Sequence, residues 1–183
     1  MIPEIKTERL HLRAFRDEDL DAICKNLNAP EINKMLLPIP YPYTQADGHS
    51  WLEFCRTADH AEHINWAIDD GSGLIGIIGG NDLKGETGFG YWLAETHWGK
   101  GLMSEAVKAV LDFIFENYPI ETLKTGVFEE NSGSQRILHK LGFEEAGKEM
   151  KTCAGWEDEP APYLFMELAR ESYFARRLDR IAA

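Results

Sequence analysis

The chain has 183 residues, of which 44% are hydrophobic and 27% are charged, as is usual for one globular domain with a sizeable core. Acidic residues outnumber basic ones by 31 to 19, and the net charge of −12 argues against direct binding to nucleic acid or to an anionic membrane surface. The same charge favours a cationic partner, although solubility alone would also account for much of it.

Hydrophobic spacing in the first half of the chain predicts helices and strands in one mixed α/β domain. In order, the predicted elements are a strand over Glu8 to Ala14, a helix capped by Asp17, a proline-marked loop over 38–42, a helix starting near Thr44, strands over 63–69 and 74–80, and a strand ending near Leu93. The Asp70-Gly71-Ser72-Gly73 segment is typical of a hairpin turn between two of these strands.

The second half continues the same pattern. The predicted elements are a long helix to about Tyr118, a strand over 121–127, a short helix from Asn131, strands near 143–151 and 163–169, and a helix over 170–181. The longest apolar run, Leu74 to Gly80, is too short to span a bilayer, and the first residues lack the apolar core of a signal peptide. We therefore expect a cytoplasmic protein.

The segment Trp98-Gly99-Lys100-Gly101 lies between the strand that ends near Leu93 and the long helix. The first N–H groups of a helix lack intrahelical acceptors and lie at the positive end of its dipole. Glycines allow a ligand to approach this backbone closely. The segment therefore predicts an anion-binding loop that can hold a phosphate.

Other interpretations of this loop are less well supported. A P-loop needs Ser or Thr after its Gly-Lys pair, whereas Lys100 is followed by Gly101. A dinucleotide-binding fingerprint needs a third glycine where Ser104 stands, and it needs a βαβ unit, whereas the flanking strands look antiparallel. A turn that only connects a strand to a helix remains open on the loop alone.

A second segment, Asn131 to Phe143, predicts a short helix with a capping box at Ser132 and Gln135 and a stop at Gly142. Five motifs now follow one another along the chain. They are Glu8-Arg9-Leu10-His11-Leu12-Arg13, Gly90-Tyr91-Trp92-Leu93, Trp98-Gly99-Lys100-Gly101, Asn131-x-x-Ser134-x-Arg136 and Leu141-Gly142-Phe143.

In this order the motifs resemble the GNAT superfamily of acetyl-CoA-dependent N-acetyltransferases, over about residues 7–168. More narrowly, the chain resembles the Rim-type branch, which acetylates the N-termini of ribosomal proteins and has relatives that act on polyamines, aminoglycosides and amino acids. The resemblance implies a single domain over residues 1–183. Its fold would be a central, mostly antiparallel twisted sheet of six to seven strands flanked by helices, with a splay between the strands that hold the acyl-CoA arm.

The resemblance also implies acetyl-CoA as cosubstrate. The amides from Trp98 to Ser104 would hold the pyrophosphate, and the backbone of Trp92 and Leu93 would pair with the pantetheine arm. Met103 stands where relatives carry a smaller residue. The residues assigned to cofactor binding in this way are Tyr91, Trp92, Leu93, Trp98, Gly99, Lys100, Gly101, Leu102, Met103, Ser104, Asn131 and Arg136.

Acetyl transfer from a thioester to an amine needs a neutral amine, a polarised carbonyl and a proton for the departing thiolate. By resemblance, the backbone N–H of Leu93 would polarise the carbonyl and the hydroxyl of Ser134 would serve the thiolate. Ser134 could instead be a helix-capping serine, but Ser132 already accounts for the predicted cap.

The general base is not evident in the sequence, because Gly88 and Cys153 stand where relatives often carry glutamate. Glu86, on the same predicted strand face, is the substitute candidate, and Glu95 and the acidic run 157–159 are further ones. Each of these is more simply a solvated surface carboxylate. A chain of water molecules could also remove the proton.

The resulting interpretation is a Rim-type N-acetyltransferase that moves acetyl directly, in a ternary complex, to a primary amine such as a protein N-terminus or a small cationic amine. An aminoglycoside- or polyamine-type enzyme is one alternative, and a catalytically weak acyl-CoA-binding module is another. We expect no metal, nucleic-acid or membrane partner, and either a monomer or a homodimer. The acceptor pocket is expected near Pro38 to Thr44 and Trp156 to Pro162.

Overall fold

The computed structural model describes residues 2–85, 88–154, 156 and 160–182. Its strands are β1 (Ile5–Lys6), β2 (His11–Arg13), β3 (His63–Asp69), β4 (Leu74–Asn81), β5 (Gly88–Leu93), β6 (Thr122–Phe128), β7 (Glu144–Lys151) and β8 (Ala161–Ala169). Its α-helices are α1 (Leu20–Leu27), α2 (Pro30–Asn33), α3 (Gln45–Thr57), α4 (Leu102–Asn117), α5 (Ser132–Leu141) and α6 (Arg170–Ala182). No helix in these ranges is long and apolar enough to cross a bilayer.

The strands form one eight-stranded sheet in the order β1-β2-β3-β4-β5-β6-β8-β7. Neighbouring strands are antiparallel except β5 and β6, which are parallel. The mostly antiparallel mixed fold is as predicted, but the strands that flank α4, β5 and β6, are parallel rather than antiparallel, and the sheet has eight strands rather than six to seven. The additional strand is β1, which a turn closed by the Thr7 N–H and the Leu10 carbonyl folds back onto β2.

Both faces of the sheet are covered. On one face α4 buries Val107, Val110, Leu111 and Ile114 in the larger core cluster, and Phe89 and Leu93 of β5 point into the same cluster. On the other face α1 and α3 form a second cluster, which Trp92 packs against. The alternation along β5 follows from the pleat of a strand. The site described below therefore rests on a strand that is held from both sides.

Helix α3 begins as predicted, with a capping box in which Thr44 and Asp47 bond each other's backbone N–H groups. The helix predicted near Asp17 instead starts with a short 3₁₀ turn over Asp17–Asp19, followed by α1. Asp19, not Asp17, accepts the Arg16 N–H, at 2.8 Å. The short helix α2 was not predicted, because its four residues are too few to show a period.

Candidate active site

Strands β5 and β6 separate at the centre of the sheet. In the parts of these strands that the structure describes, the ladder pairs Gly88 with Lys124, and the Thr125 hydroxyl donates to the Phe89 carbonyl at 2.7 Å. Beyond this point β5 follows β4 alone, up to Leu93 opposite Gly76. The later half of β5 therefore has an open edge facing β6, which is the splay that the sequence predicts.

Hydrogen bonds show which backbone groups line this edge. The Ala94 N–H donates to the Ile75 carbonyl at 2.8 Å, so the backbone of Ala94 faces β4. Backbone groups of successive residues in a strand point to opposite edges. Those of Leu93 and Tyr91 therefore face the splay, and Leu93 accepts the Trp98 indole N–H at 2.7 Å. The Trp92 backbone faces β4, which does not favour its expected pairing with the pantetheine arm, and the Tyr91 and Leu93 backbones are the ones on the open edge.

The loop that follows presents a row of free amides. Gly99 and Gly101 have φ angles of 74° and 77°, in the left-handed region that favours glycine, and Gly101 is the N-cap of α4. The first helical hydrogen bond runs from the Glu105 N–H to the Gly101 carbonyl, at 3.1 Å. Among the residues that the structure describes, none accepts a hydrogen bond from the amides of Gly99 to Ser104. Such a row can bind an anion without a side-chain charge.

Side chains near this loop divide into two groups. Leu102 and Met103 are buried in the α4 core, so the bulk of Met103 lies inside the molecule and not over the free amides. Lys100 and Trp98 are exposed, and Ser104 is half-buried. The loop therefore offers its backbone to a ligand and anchors itself through its apolar side chains.

Tyr91 and Ser134 meet at the splay. The Tyr91 hydroxyl lies 2.7 Å from the Ser134 Oγ. Burial raises the pKa of Tyr91 to about 12, although the bond to Ser134 opposes this shift. The phenol is therefore protonated at neutral pH. It joins β5 to α5 through a pair of neutral hydroxyls.

The cap of α5 differs from the prediction. Asn131, not Ser132, is the N-cap, and its side-chain oxygen accepts the Ser134 N–H at 3.0 Å. The amide side chain of asparagine makes this cap without a hydroxyl, which leaves the Ser134 Oγ free for Tyr91. Gly142 ends the helix with a φ of 104°, as predicted.

Not every predicted site residue joins this arrangement. Arg136 is exposed, and its guanidinium donates to the Ser132 Oγ of its own helix at 3.4 Å. Glu86 and the run 157–159 lie outside the described residues. Glu95 is an exposed residue of the 3₁₀ turn Glu95–His97.

Cys153 stands where the family resemblance leads us to expect a glutamate, and it makes a structural contact. Its thiol is buried and donates to the Lys34 carbonyl at 2.8 Å, and burial raises its pKa. This bond attaches the β7–β8 loop to the segment after α2. A thiol held in this way does not serve as a base at neutral pH.

The two loops expected to form the acceptor pocket are in contact. The Trp156 indole N–H donates to the Asn33 Oδ1 at 2.8 Å, and the Tyr41 and Trp156 rings lie 4.7 Å apart. The Ala154 N–H also donates to the Leu37 carbonyl at 3.1 Å. Residues far apart in the sequence thus build one aromatic wall.

Sequence reasoning missed the residues that hold the anion-binding loop from behind. Arg9 and Thr7 reach Glu105 in the first turn of α4. The Glu8–Arg13 motif is part of the family resemblance, but it does not identify a partner for Arg9. Glu105 lies 96 positions further along the chain, and no local spacing rule pairs the two residues. Only the fold brings them together.

The fold and its motifs match known acetyltransferases. A family model described as "Acetyltransferase (GNAT) domain" matches residues 9–144. The uncharacterized N-acetyltransferase p20 of Bacillus licheniformis is 32% identical over 146 residues, which cover 77% of this chain and 82% of that protein.

Two solved structures show the same fold. The GNAT-family acetyltransferase from Bacillus anthracis has a TM-score of 0.75 at 23% identity, covering 92% of this chain and 99% of that one. RimJ of Mycobacterium smegmatis, solved in complex with CoA-disulfide, has a TM-score of 0.77 at 18% identity, covering 98% and 93%. Because the family model spans most of the chain, and a relative above 30% identity covers more than three quarters of it, the chain belongs to the GNAT acetyltransferase family and is an acyltransferase.

Proposed function

We propose that the protein is an acetyl-CoA-dependent N-acetyltransferase that transfers the acetyl group directly to a primary amine in a ternary complex. The observation that carries this proposal is the hydroxyl pair of Tyr91, on β5, and Ser134, on α5, together with the free amides from Gly99 to Ser104 that follow β5 in the chain. CoA in the structure of RimJ, which shares the fold, supports the choice of cosubstrate.

The free amides and the open edge fit the two parts of CoA that an enzyme must hold. The pyrophosphate is an anion, and the amides from Gly99 to Ser104 would bind it. The pantetheine arm carries amide groups, and the Tyr91 backbone groups on the open edge would pair with them as a neighbouring strand does. The Asn131 side-chain oxygen is occupied by the helix cap, and the nitrogen of the same amide would donate to the pantetheine arm.

The Leu93 N–H and Ser134 would serve the two charges that develop during transfer. The amine nitrogen forms a bond to the thioester carbon, and the carbon–sulfur bond breaks. The Leu93 N–H would donate to the oxyanion on the carbonyl oxygen. Ser134 would give its proton to the sulfur as the thiolate leaves.

The pairing with Tyr91 orients Ser134 for this role. In this role the Tyr91 O–H, which is protonated at neutral pH, would donate to the Ser134 oxygen, one of the two directions that the 2.7 Å contact allows. The Ser134 hydrogen is then free to point at the sulfur. After transfer, Ser134 recovers a proton from Tyr91, which in turn is reprotonated by water. The proton that the amine loses goes to water or to a base that the described residues do not identify.

The acceptor would be a cationic amine, either a protein N-terminus or a small molecule. The net charge of −12 attracts such a molecule from solution. Tyr41 and Trp156 lie together in the expected acceptor region, and the Lys34 ammonium lies 4.1 Å from the centre of the Trp156 ring, so this wall already binds one cation of the protein itself.

Thiol release from acetyl-CoA across a panel of N-terminal peptides, polyamines and aminoglycosides tests the proposal. We expect release well above the amine-free rate with at least one class of acceptor, together with acetylated product by mass spectrometry. If CoA stabilises the protein against heat but no amine raises thiol release, the protein is an acyl-CoA-binding module and the proposal is wrong. If CoA does not bind, both interpretations are wrong.

A further inference from the structure

We propose that Arg9 is a positioning residue which, together with Thr7 and Glu105, holds the segment Gly99–Ser104 in its phosphate-binding conformation. This segment is the end of the loop and the first residues of α4, and it is called the Gly99–Ser104 loop below. We refer to Arg9, Thr7 and Glu105 as the loop clamp. This inference rests on the proposed use of acetyl-CoA, because it concerns how the same loop is kept ready for the pyrophosphate. No part of it depends on the identity of the acceptor amine.

Arg9 bonds both ends of the turn that leads into α4. Its Nη1 donates to the Lys100 carbonyl at 2.9 Å, and its Nε donates to Glu105 Oε2 at 2.7 Å. Its Nη2 lies 2.7 Å from the same carboxylate oxygen. One planar guanidinium therefore ties the carbonyl before Gly101 to the side chain of the first helical turn.

Glu105 completes the clamp from the helix side. It accepts the backbone N–H of Arg9 at 2.9 Å and the Thr7 hydroxyl at 2.5 Å, and its side chain is only 18% exposed. Burial opposes the ionisation of Glu105, but the hydrogen bonds from Thr7 and Arg9 outweigh it and hold the pKa of this carboxyl below its usual value. The segment before β2 is thereby fixed to the start of α4.

The bond to the Lys100 carbonyl sets the direction of a ligand-binding amide. The Lys100 C=O and the Gly101 N–H belong to one planar trans peptide and point in opposite directions. Because Arg9 holds the carbonyl on its own side, the Gly101 N–H is turned to the other side, where its neighbours are free. A Cβ added at Gly101 would lie 3.6 Å from Arg9 Nη2, so the guanidinium occupies the back of the loop.

The clamp also removes a charge conflict. A carboxylate in the first turn of a helix repels an anion bound at that helix N-terminus. Glu105 is such a carboxylate, and the Arg9 ion pair neutralises it. The loop can then accept a pyrophosphate although an acidic side chain is adjacent. Arg9 acts on the ligand through the loop and through Glu105.

The test compares CoA with pantetheine, which lacks the pyrophosphate, in wild type, Arg9→Ala and Arg9→Lys. We expect Arg9→Ala to raise the Kd for CoA about 10-fold or more, as loss of hydrogen bonds to charged groups does. The Kd for pantetheine should stay within about two-fold of wild type, because the open edge of β5 is untouched. Arg9→Lys should recover little CoA affinity, since one ammonium cannot reproduce the planar fork.

A matched control is Arg56→Ala, which removes an exposed arginine of α3 that pairs with Asp17. This variant should bind both ligands as wild type does. Equal weakening of CoA and pantetheine by Arg9→Ala would show a general structural effect and overturn the clamp. Full CoA affinity in Arg9→Lys would show that only charge matters, and would overturn it as well.

Two further outcomes separate this inference from the proposed function. If wild type binds neither ligand, the proposed function itself fails. If wild type prefers CoA and Arg9→Ala keeps that preference, only the clamp is wrong. Should Arg9→Ala fail to fold by thermal melting, the same comparison with Arg9→Lys decides, because that variant keeps the charge and most of the side-chain volume.

Discussion

At the scale of single residues, the site depends on which groups of Ser134 the cap of α5 uses and which it leaves available. The Ser134 backbone N–H is used by the Asn131 cap, whereas its Oγ faces Tyr91. A serine whose side chain makes the cap would have no hydroxyl left for chemistry. Because Asn131 makes the cap, the Ser134 hydroxyl is available for the proposed role of an acid.

Ser134→Ala tests this role directly. A proton donor to the leaving thiolate acts in the transition state, so we expect the single-turnover rate to fall about 10²-fold or more with CoA affinity nearly unchanged. Stability should change by less than about 1 kcal/mol, because Asn131 still caps the helix. Ser132→Ala, which changes an exposed serine two residues away, is the matched control and should leave the rate and CoA affinity unchanged. A fully active Ser134→Ala enzyme would exclude Ser134 as the acid.

The pH dependence of single turnover tests Tyr91. With an N-terminal peptide as acceptor, the rate should rise with pH through about 8, where a free α-amino group loses its proton. Burial disfavours the phenolate and raises the pKa of Tyr91 to about 12, so the Tyr91–Ser134 pair stays protonated. We therefore expect no loss of rate up to about pH 10, where an exposed tyrosine would ionise. A decline below pH 10 would contradict this, as would a profile that is flat throughout.

At the scale of elements, the Trp98–Gly101 loop and the first turn of α4 form one unit. Left-handed φ angles at Gly99 and Gly101 turn the loop so that its amides stay free, while Leu102 and Met103 anchor the helix in the core. The open edge of β5 continues this unit into the splay. Strand, loop and helix together can hold an extended ligand with a charged end.

Gly101→Val tests the loop. Valine is strained at a φ of 77°, and its side chain would press on Arg9 behind the loop, so both effects would move the free amides out of place. We expect heat stabilisation by CoA, measured as the rise in Tm with added CoA, to disappear in the folded variant. Gly71→Val, at a φ of 95° in the β3–β4 turn, carries similar backbone strain outside the loop and should keep the CoA effect. Undiminished stabilisation in Gly101→Val would place the phosphates elsewhere.

At the scale of the whole molecule, a buried arginine joins the first strands to the α1 side of the fold. Arg13 is 2% exposed, donates to Asp19 through both terminal nitrogens, and donates through Nε to Asp69 Oδ2 at 2.7 Å. Asp69 also accepts the Gly71 N–H at 2.8 Å. Charges buried this deeply stabilise a fold only when all of them are paired.

Asp69→Asn should therefore destabilise the protein by about 1.5 to 3 kcal/mol in chemical denaturation. Burial opposes ionisation of Asp69, but hydrogen bonds from Arg13 and Gly71 outweigh it and hold the pKa of this carboxyl below its ordinary value. Its contribution to stability is then fully present above the pKa of an unfolded aspartate and is lost as pH falls through the folded-state value.

The variant should accordingly show a shallower loss of stability in acid than wild type. Asp59→Asn, which changes an exposed carboxylate paired with Lys84, is the control and should cost less than about 1 kcal/mol at neutral pH. Equal acid sensitivity of wild type and Asp69→Asn would show that this carboxyl does not contribute as described.

Local rules applied to the sequence account for most of the elements. Periodicity located α4 and the central strands, because apolar spacing follows directly from helix and strand geometry. The Gly99-Lys100-Gly101 segment marked the loop, because its free amides depend on left-handed φ angles that glycine adopts without strain. The two-residue β1 and the four-residue α2 were not predicted, since each is too short to show a repeat of apolar residues in the sequence.

By itself the sequence determined the mixed fold and singled out the glycine loop before α4 and Ser134 as candidates for the site, since each follows from short-range patterns or from family motifs. Only the tertiary structure decided that the Tyr91 hydroxyl meets the Ser134 hydroxyl, that Leu93 and not Trp92 faces the splay, and that Arg9 reaches Glu105. The reason is physical: strand pairing and packing set which edge a backbone group faces and which distant residues meet, and local spacing does not encode either.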